Sequence, residues 1–258
     1  MDALALKLVA TPLLMAAVTL AGRRYGPGVS GWLAGLPLTS GPVSLFLALE
    51  QGPAFARDAA PGMLAGFLAF LAFLAGAAWA ARRAGWAGTV AAGLVAYAVV
   101  EAPLLWLKPT LWPAFAAAVL ATAVLVLALR RAPPAVPVPA PRWDVPVRAA
   151  TATAVVLLVT GLAASLGPRM AGLLSPVPAF AAVLVGFTHH QGGGEAARAT
   201  VRGIAAGALS FTVFFLVVGL GLPDLGLALT YAAAATGAVL ANVGTLRLVR
   251  PAAVPARS

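Results

Sequence analysis

Seven carboxylates stand against seventeen lysines and arginines in this 258-residue chain, so few side chains are available for chemistry. Glu101 is the carboxylate that falls well inside a long apolar run. A charge retained in hydrocarbon is costly and marks proton or cation coupling. Asn242 lies 141 positions further on, at the corresponding place in a later run. The competing reading takes Glu101 as only about two turns from Lys108, reaching the outer interface along its alkyl stem. Glu50 and Gln191 are also 141 apart and close two other apolar runs. His189 and His190 directly precede Gln191, and His190 is a candidate proton-sensing gate residue because histidine titrates near neutral pH. The alternative for both histidines is an ordinary interfacial position. Without a nearby cysteine or a suitably spaced carboxylate they make no metal site, since Glu195 is reached only across Gly192 to Gly194. That glycine run lacks the preceding strand and the lysine–hydroxyl pair of a phosphate loop. No Ser–His–Asp set and no paired catalytic carboxylates occur, so neither an enzyme nor a cofactor is expected.

A second chemistry comes from the backbone. Gly26 to Gly52 reads as a membrane-spanning helix interrupted by Gly35, Pro37, Gly41 and Pro42. Proline removes an amide donor and clashes with the preceding turn, which frees carbonyls and amides at mid-helix. In a membrane such groups need protein or water nearby, and they are suited to holding ions or polar solute groups. Thr39 and Ser40 flank this break, and Ser175, Pro176 and Pro178 form a second one. Pro37, Thr39, Ser40, Pro42, Ser175, Pro176 and Pro178 are therefore the candidate solute-binding residues. The alternative is a pair of proline kinks satisfied by neighbouring helices.

The elements that must position these groups are legible in the composition. The chain is 62% hydrophobic and 9% charged, with mean hydropathy +0.97. A soluble surface would need far more charge, and the apolar runs are continuous, unlike the alternating strands of a barrel. An all-α, polytopic membrane protein is expected, with the lipid bilayer as its surroundings. At 1.5 Å rise per residue and about 30 Å of hydrocarbon, nine runs are long enough to span, near 4–22, 28–50, 60–81, 86–107, 110–130, 147–166, 170–190, 201–221 and 225–247. The proline-rich stretch 131–146 is the one true linker, extended and non-helical. Distributed over alternate sides, the basic residues split thirteen to four, with Lys7, Arg57, Lys108 and Arg169 on the poorer side. The positive-inside rule then places the N-terminus outside and the C-terminus in the cytoplasm. Trp79 and Trp86 fall at the inner interface, Trp106 and Trp112 at the outer. The net charge of +10 sits in these short gaps, so nucleic acid is not an expected partner. Arg23 and Arg24 follow the first apolar run instead of preceding it, which argues against a cleaved signal peptide.

The recurrent spacing of 141 is an internal repeat. Residues 26–73 and 167–214 align without gaps at 15 identities in 48, where this composition gives roughly one in nine by chance. The matches include Pro37/Pro178, Phe46/Phe187, Gly52/Gly193, Arg57/Arg198, Gly62/Gly203, Gly66/Gly207, Phe70/Phe211 and Phe73/Phe214. Two units follow, residues 1–107 and 147–248, with residues 108–130 as a connecting helix and 249–258 as a cytoplasmic tail. Five spans separate the start of one unit from the start of the next, so the two enter the membrane from opposite faces. The expected fold is nine transmembrane helices as two inverted four-helix repeats plus a connector. Such repeats build many secondary transporters, with the site at the midplane between discontinuous helices. The pairs Gly62/Gly66 and Gly203/Gly207 have the four-residue spacing that lets helices approach closely. Arg57 and Arg198 precede two spans, where they could hold anionic groups or simply snorkel to the interface.

The second unit carries MAGLLSPVPAFA at residues 170–181 and GEAARAT at 194–200 leading into a span. This resembles the GlpM-type small inner-membrane proteins of bacteria, which are about one unit in size. The resemblance covers about one hundred residues of the second half and, through the repeat, extends more faintly to the first. It implies an integral protein of the bacterial inner membrane, and the family's association with alginate production implies an envelope context. This chain departs by fusing two units with an extra helix, which implies that single-unit relatives pair as dimers.

The expected function is a secondary transporter for a small polar or amphipathic solute. The site would lie between the broken second and seventh spans, with Glu101, Asn242, Glu50, Gln191 and His190 as coupling or gating residues. The alternative is a non-transporting inner-membrane scaffold for envelope polysaccharide synthesis. A homodimer is compatible with either.

Overall fold

A computed structural model describes residues 3–38, 40–130, 143–165 and 177–246. Among them the chain is all-helical, without strands. The helices are α1 (Ala3–Tyr25), α2 (Pro27–Ala34), α3 (Ser40–Gln51), α4 (Pro53–Ala80), α5 (Trp86–Leu104), α6 (Leu111–Leu129), α7 (Asp144–Ser165), α8 (Ala179–Gly207) and α9 (Leu209–Thr245). The Gly-Pro pairs account for two boundaries. Gly26 and Gly52 each have φ 94°, a conformation that costs any residue with a Cβ. Pro27 and Pro53 then occupy the first turn of α2 and α4, where a missing amide donor is no loss.

Four helical segments among the described residues are long and apolar enough to cross a membrane: α4, α5, α6 and the stretch Ala179–Thr245. The last has 67 residues, roughly 100 Å of helix at 1.5 Å per residue, far more than one crossing needs. It is broken at Gly193 (φ 73°) and Gly226 (φ 70°), with a further turn at Ala208. Helix boundaries in the second half therefore differ from those read off hydropathy, which placed gaps near 190–201 and 221–225. Helical backbone continues on both sides of each glycine, so polar residues such as Gln191 and Glu195 lie within helix.

The stretch Ala179–Thr245 and α4 are the most enclosed, at 72% and 67% of their apolar windows, against 22% for α5 and α6. In α4, Leu64, Phe73, Leu74 and Ala77 lie in a core shared with α5, α6, α8 and α9. The outer faces of α5 and α6 present Val95, Val99, Leu120, Val124 and Leu127, an apolar surface suited to lipid. Trp79 and Trp86 are exposed at one end of the α4–α5 hairpin, and Trp106 and Trp112 at the other end of α5. That is the arrangement of two aromatic interface belts.

Close backbone approaches join the two halves of the chain. A Cβ on Gly31 of α2 would lie 2.0 Å from the carbonyl oxygen of Thr200 on α8. A Cβ on Gly203 would lie 2.0 Å from the carbonyl oxygen of Gly28. These glycines let α2 and the second part of α8 touch backbone to backbone. A smaller apolar cluster, Met15, Val18, Ala149, Ala152, Val183 and Leu184, joins α1, α7 and α8.

Candidate functional site

The interruption between α2 and α3 includes Gly35 to Leu38, and α8 begins directly after Val177 and Pro178. One cavity lies between them, lined by Gly35, Leu36, Pro37, Leu38, Ser40, Val177 and Pro178 together with Phe67, Phe70, Phe180 and Phe211. Of the candidate solute-binding residues, this cavity brings together Pro37, Ser40 and Pro178. Pro42 is half-buried in the first turn of α3, where proline is tolerated, and lies off the cavity wall. Thr39, Ser175 and Pro176 lie outside the described residues. Leu36/Val177, Pro37/Pro178 and Phe70/Phe211 are all pairs 141 apart, and both members of each face the same space.

The wall chemistry is aromatic. The Phe67 ring stacks on Phe211 at 4.3 Å between centroids and on Phe70 at 5.4 Å, and Phe211 continues to Phe215 at 4.6 Å. Offset rings of this kind hold one another rigidly and present apolar faces. Ser40 is the one described side chain on the wall with a hydroxyl, and it is 8% exposed. One freed carbonyl at the break is already satisfied. The Ser210 hydroxyl lies 2.6 Å from the Gly207 carbonyl and 3.1 Å from that of Gly35, so its single proton serves the end of α2 and the preceding turn of its own chain segment. The site can thus enclose an apolar body and offer it a small number of polar contacts at one side.

Glu101 does not reach water. It is 4% exposed, and neither carboxylate oxygen has a hydrogen-bond partner. This removes the snorkelling reading, because an interfacial carboxylate would be solvated. Tyr97, one turn earlier on the same face, is buried with its hydroxyl also unpartnered. Asn242 is likewise buried, and its Oδ1 has no partner. Its backbone carbonyl accepts a hydrogen bond from Trp32 Nε1 at 2.9 Å, beside the crossing of α2 and α8. Glu101 and Asn242, 141 positions apart, have the same unsatisfied character. Neither lines the aromatic cavity.

His190 is exposed, edge-on to Trp86 at 6.2 Å, so its solvated ring is not enclosed as a gate would need. Its neighbour His189 is the buried one, with Nδ1 2.9 Å from the Thr89 hydroxyl. Helical geometry separates the two by about 100°, and only the tertiary contact with α5 tells which faces inward. Glu50 sits in the last turn of α3, and its side chain lies outside what is described. Arg57 pairs with Asp58 at 2.8 Å, and Arg198 with Glu195 at 3.3 Å, both at exposed positions of the acid.

Gln191 belongs to a polar network around Asp144, a residue read from the sequence as part of the non-helical linker 131–146, whereas α7 already begins at Asp144 and makes 144–146 helical. Asp144, fully buried at the start of α7, accepts from Arg148 Nε at 2.6 Å, Arg23 Nη2 at 3.3 Å and Gln191 Nε2 at 2.5 Å. Arg148 also donates to Gln191 Oε1 at 2.8 Å and to Thr188 at 3.4 Å, and its guanidinium lies over the Phe187 ring. The network ties the ends of α1 and α7 to the middle of α8. An acid and a base four residues apart at the start of a span was the available signal for it. A further buried contact, Ser44 to Tyr231 at 2.8 Å, joins α3 to α9 and has no counterpart in sequence spacing.

No protein-family model matches this chain, and neither a curated protein nor a solved structure matches it.

Proposed function

We propose that this protein is a nine-span secondary transporter of the bacterial inner membrane, with its N-terminus outside and its C-terminus in the cytoplasm. Two inverted four-helix units would rock about the aromatic cavity, which would bind a small amphipathic solute. The observation that carries this reading is the convergence of Pro37 and Pro178 on one cavity. A helix break at Pro37 and a helix start at Pro178, 141 positions apart and facing a common space, match the way inverted-repeat transporters build a central site. The stacked phenylalanines favour the amphipathic over the purely polar alternative, since a strongly hydrated solute would lose water here for few replacement bonds. Glu101 is the coupling residue of this reading, as a buried carboxylate able to exchange a proton or cation. The GlpM-type resemblance supports the envelope location.

A thermal-stability screen of the purified protein against small amphipathic solutes tests this, because a ligand of the folded state raises the melting point. A hit should be carried across liposomes by the wild type. Ser40→Ala and Phe211→Ala should each weaken it about tenfold, the worth of roughly 1.4 kcal/mol. A hit that binds without crossing, or that ignores both substitutions, would remove the transport reading and favour the scaffold, whose variants would lose partner binding instead.

A further inference from the structure

The aromatic cavity has an electrostatic sign as well as a shape. Among the described residues on its wall no side chain is charged, and Ser40 carries the single hydroxyl. Backbone donors at the break are spent. The Gly35 amide donates to the Gly31 and Trp32 carbonyls, that of Leu36 to Leu33 and that of Leu38 to Leu36, while Pro37 and Pro178 have no N–H to give. Acceptors are in better supply. A helical turn on the Leu38 carbonyl would need the amide of residue 42, which is proline, and the Gly41 amide already serves Pro37. Neither neighbouring amide therefore closes a turn on Leu38.

Four phenylalanine rings complete the wall. Phe67 and Phe211 are buried and stack on each other, whereas Phe70 and Phe180 are only half-buried, and Phe180 has no ring partner among the described residues. Phe70 and Phe180 thus keep ring surface for a ligand. The face of an aromatic ring is negative, so it attracts a cation and repels an anion. An anion would be poorly served here, with the Ser40 hydroxyl as the one side-chain donor. A small, strongly hydrated cation would lose its water with no carboxylate on the described wall to replace it. A cation whose charge is spread over alkyl groups gives up little hydration and packs its apolar parts on the rings.

We propose that this cavity takes a quaternary ammonium group, seated against Phe70 and Phe180, with the Leu38 carbonyl adding partial negative charge. The inference rests on the reading of the aromatic cavity as a solute site, and it narrows the amphipathic solute to one charge class.

The test uses the full chain purified in a neutral detergent and three solutes of nearly one shape. Choline carries a trimethylammonium group, neohexanol has carbon in place of its nitrogen, and tert-butylacetate is the matching anion. The melting point is followed with each at constant ionic strength, since a ligand of the folded state raises it. Choline should raise it at concentrations where neohexanol and tert-butylacetate do not. Phe180→Leu keeps the apolar bulk, removes the ring, and should weaken choline binding about tenfold. Phe70→Leu is the second variant if Phe180→Leu fails to fold. The proposal is overturned if choline does not stabilise the wild type, if its binding ignores the loss of the ring, or if neohexanol binds as tightly. In that last case, loss of neohexanol binding in Phe180→Leu would keep the cavity as a solute site and remove only its charge preference. Choline that binds through the ring but does not cross liposomes supports this inference and removes the transport reading.

Discussion

Two buried acids illustrate what single residues contribute. Glu101 was visible in the sequence as a carboxylate inside a span, but its burial was not, because about two turns from Lys108 fits either an interfacial or an enclosed position. Its lack of a partner makes a neutral isostere harmless to the fold. Glu101→Gln is expected to leave the melting point unchanged or higher while abolishing solute accumulation against a gradient, measured in proteoliposomes. Asp144 behaves in the opposite way. It is the shared acceptor of Arg23, Arg148 and Gln191, and Asp144→Asn leaves the buried Arg148 guanidinium without its counter-charge. Breaking such a pair costs about 3–5 kcal/mol, so a large fall in melting temperature is expected. Replacing Asp144 and Arg148 together by Leu and Met should recover much of that loss, as apolar replacements of buried pairs do. Asp144 escaped the sequence reading because it follows a proline-rich stretch and looked like linker. The pair of histidines shows the same limit, since only packing against Thr89 distinguishes His189 from His190.

At the scale of elements, glycines were legible as breakers and as packing points, but their individual roles were not. Gly31 and Gly203 occupy the α2–α8 crossing, whereas a Cβ on Gly62, the repeat mate of Gly203, meets nothing within 4 Å. Gly31→Ala and Gly203→Ala should each destabilise by about 1–3 kcal/mol, as overpacking does. Gly62→Ala should instead stabilise by up to about 1 kcal/mol through helix propensity. Thermal unfolding of the three variants in one detergent checks the difference in sign. Gly52 and Gly193, also mates, both have positive φ and open space around them, so their cost on substitution is purely conformational. Alanine at either should cost about 1–2 kcal/mol, and the two losses should be alike. The break at the second span could be read directly from Pro37, because proline dictates it. The breaks at Gly193 and Gly226 could not, because glycine permits a positive φ without requiring one.

For the whole molecule, composition alone carried the all-helical, membrane-type architecture, since 62% hydrophobic residues cannot be covered by 9% charged ones. The convergence of Pro37 and Pro178 on an aromatic cavity needed the tertiary structure, although the Phe70/Phe211 match already hinted that these rings stand at like positions. The network around Asp144 was not legible as a whole, because Arg23, Asp144, Arg148 and Gln191 come from three separate helices. Topology reporters at Pro137 and at the C-terminus should score cytoplasmic, and one at Lys108 external. A periplasmic C-terminus would end the nine-span inverted arrangement. The central claim, a cavity reached alternately from both sides, has a test that needs no knowledge of the solute. The chain contains no cysteine, so a single one can be placed without background. Ser40→Cys is labelled with a membrane-impermeant maleimide in spheroplasts and in inside-out vesicles, beside Ala77→Cys, which is 0% exposed in the core. Alternating access predicts modification of the Ser40 position from both faces and of the Ala77 position from neither. Modification of the Ser40 position from one face only, or from none, would contradict it.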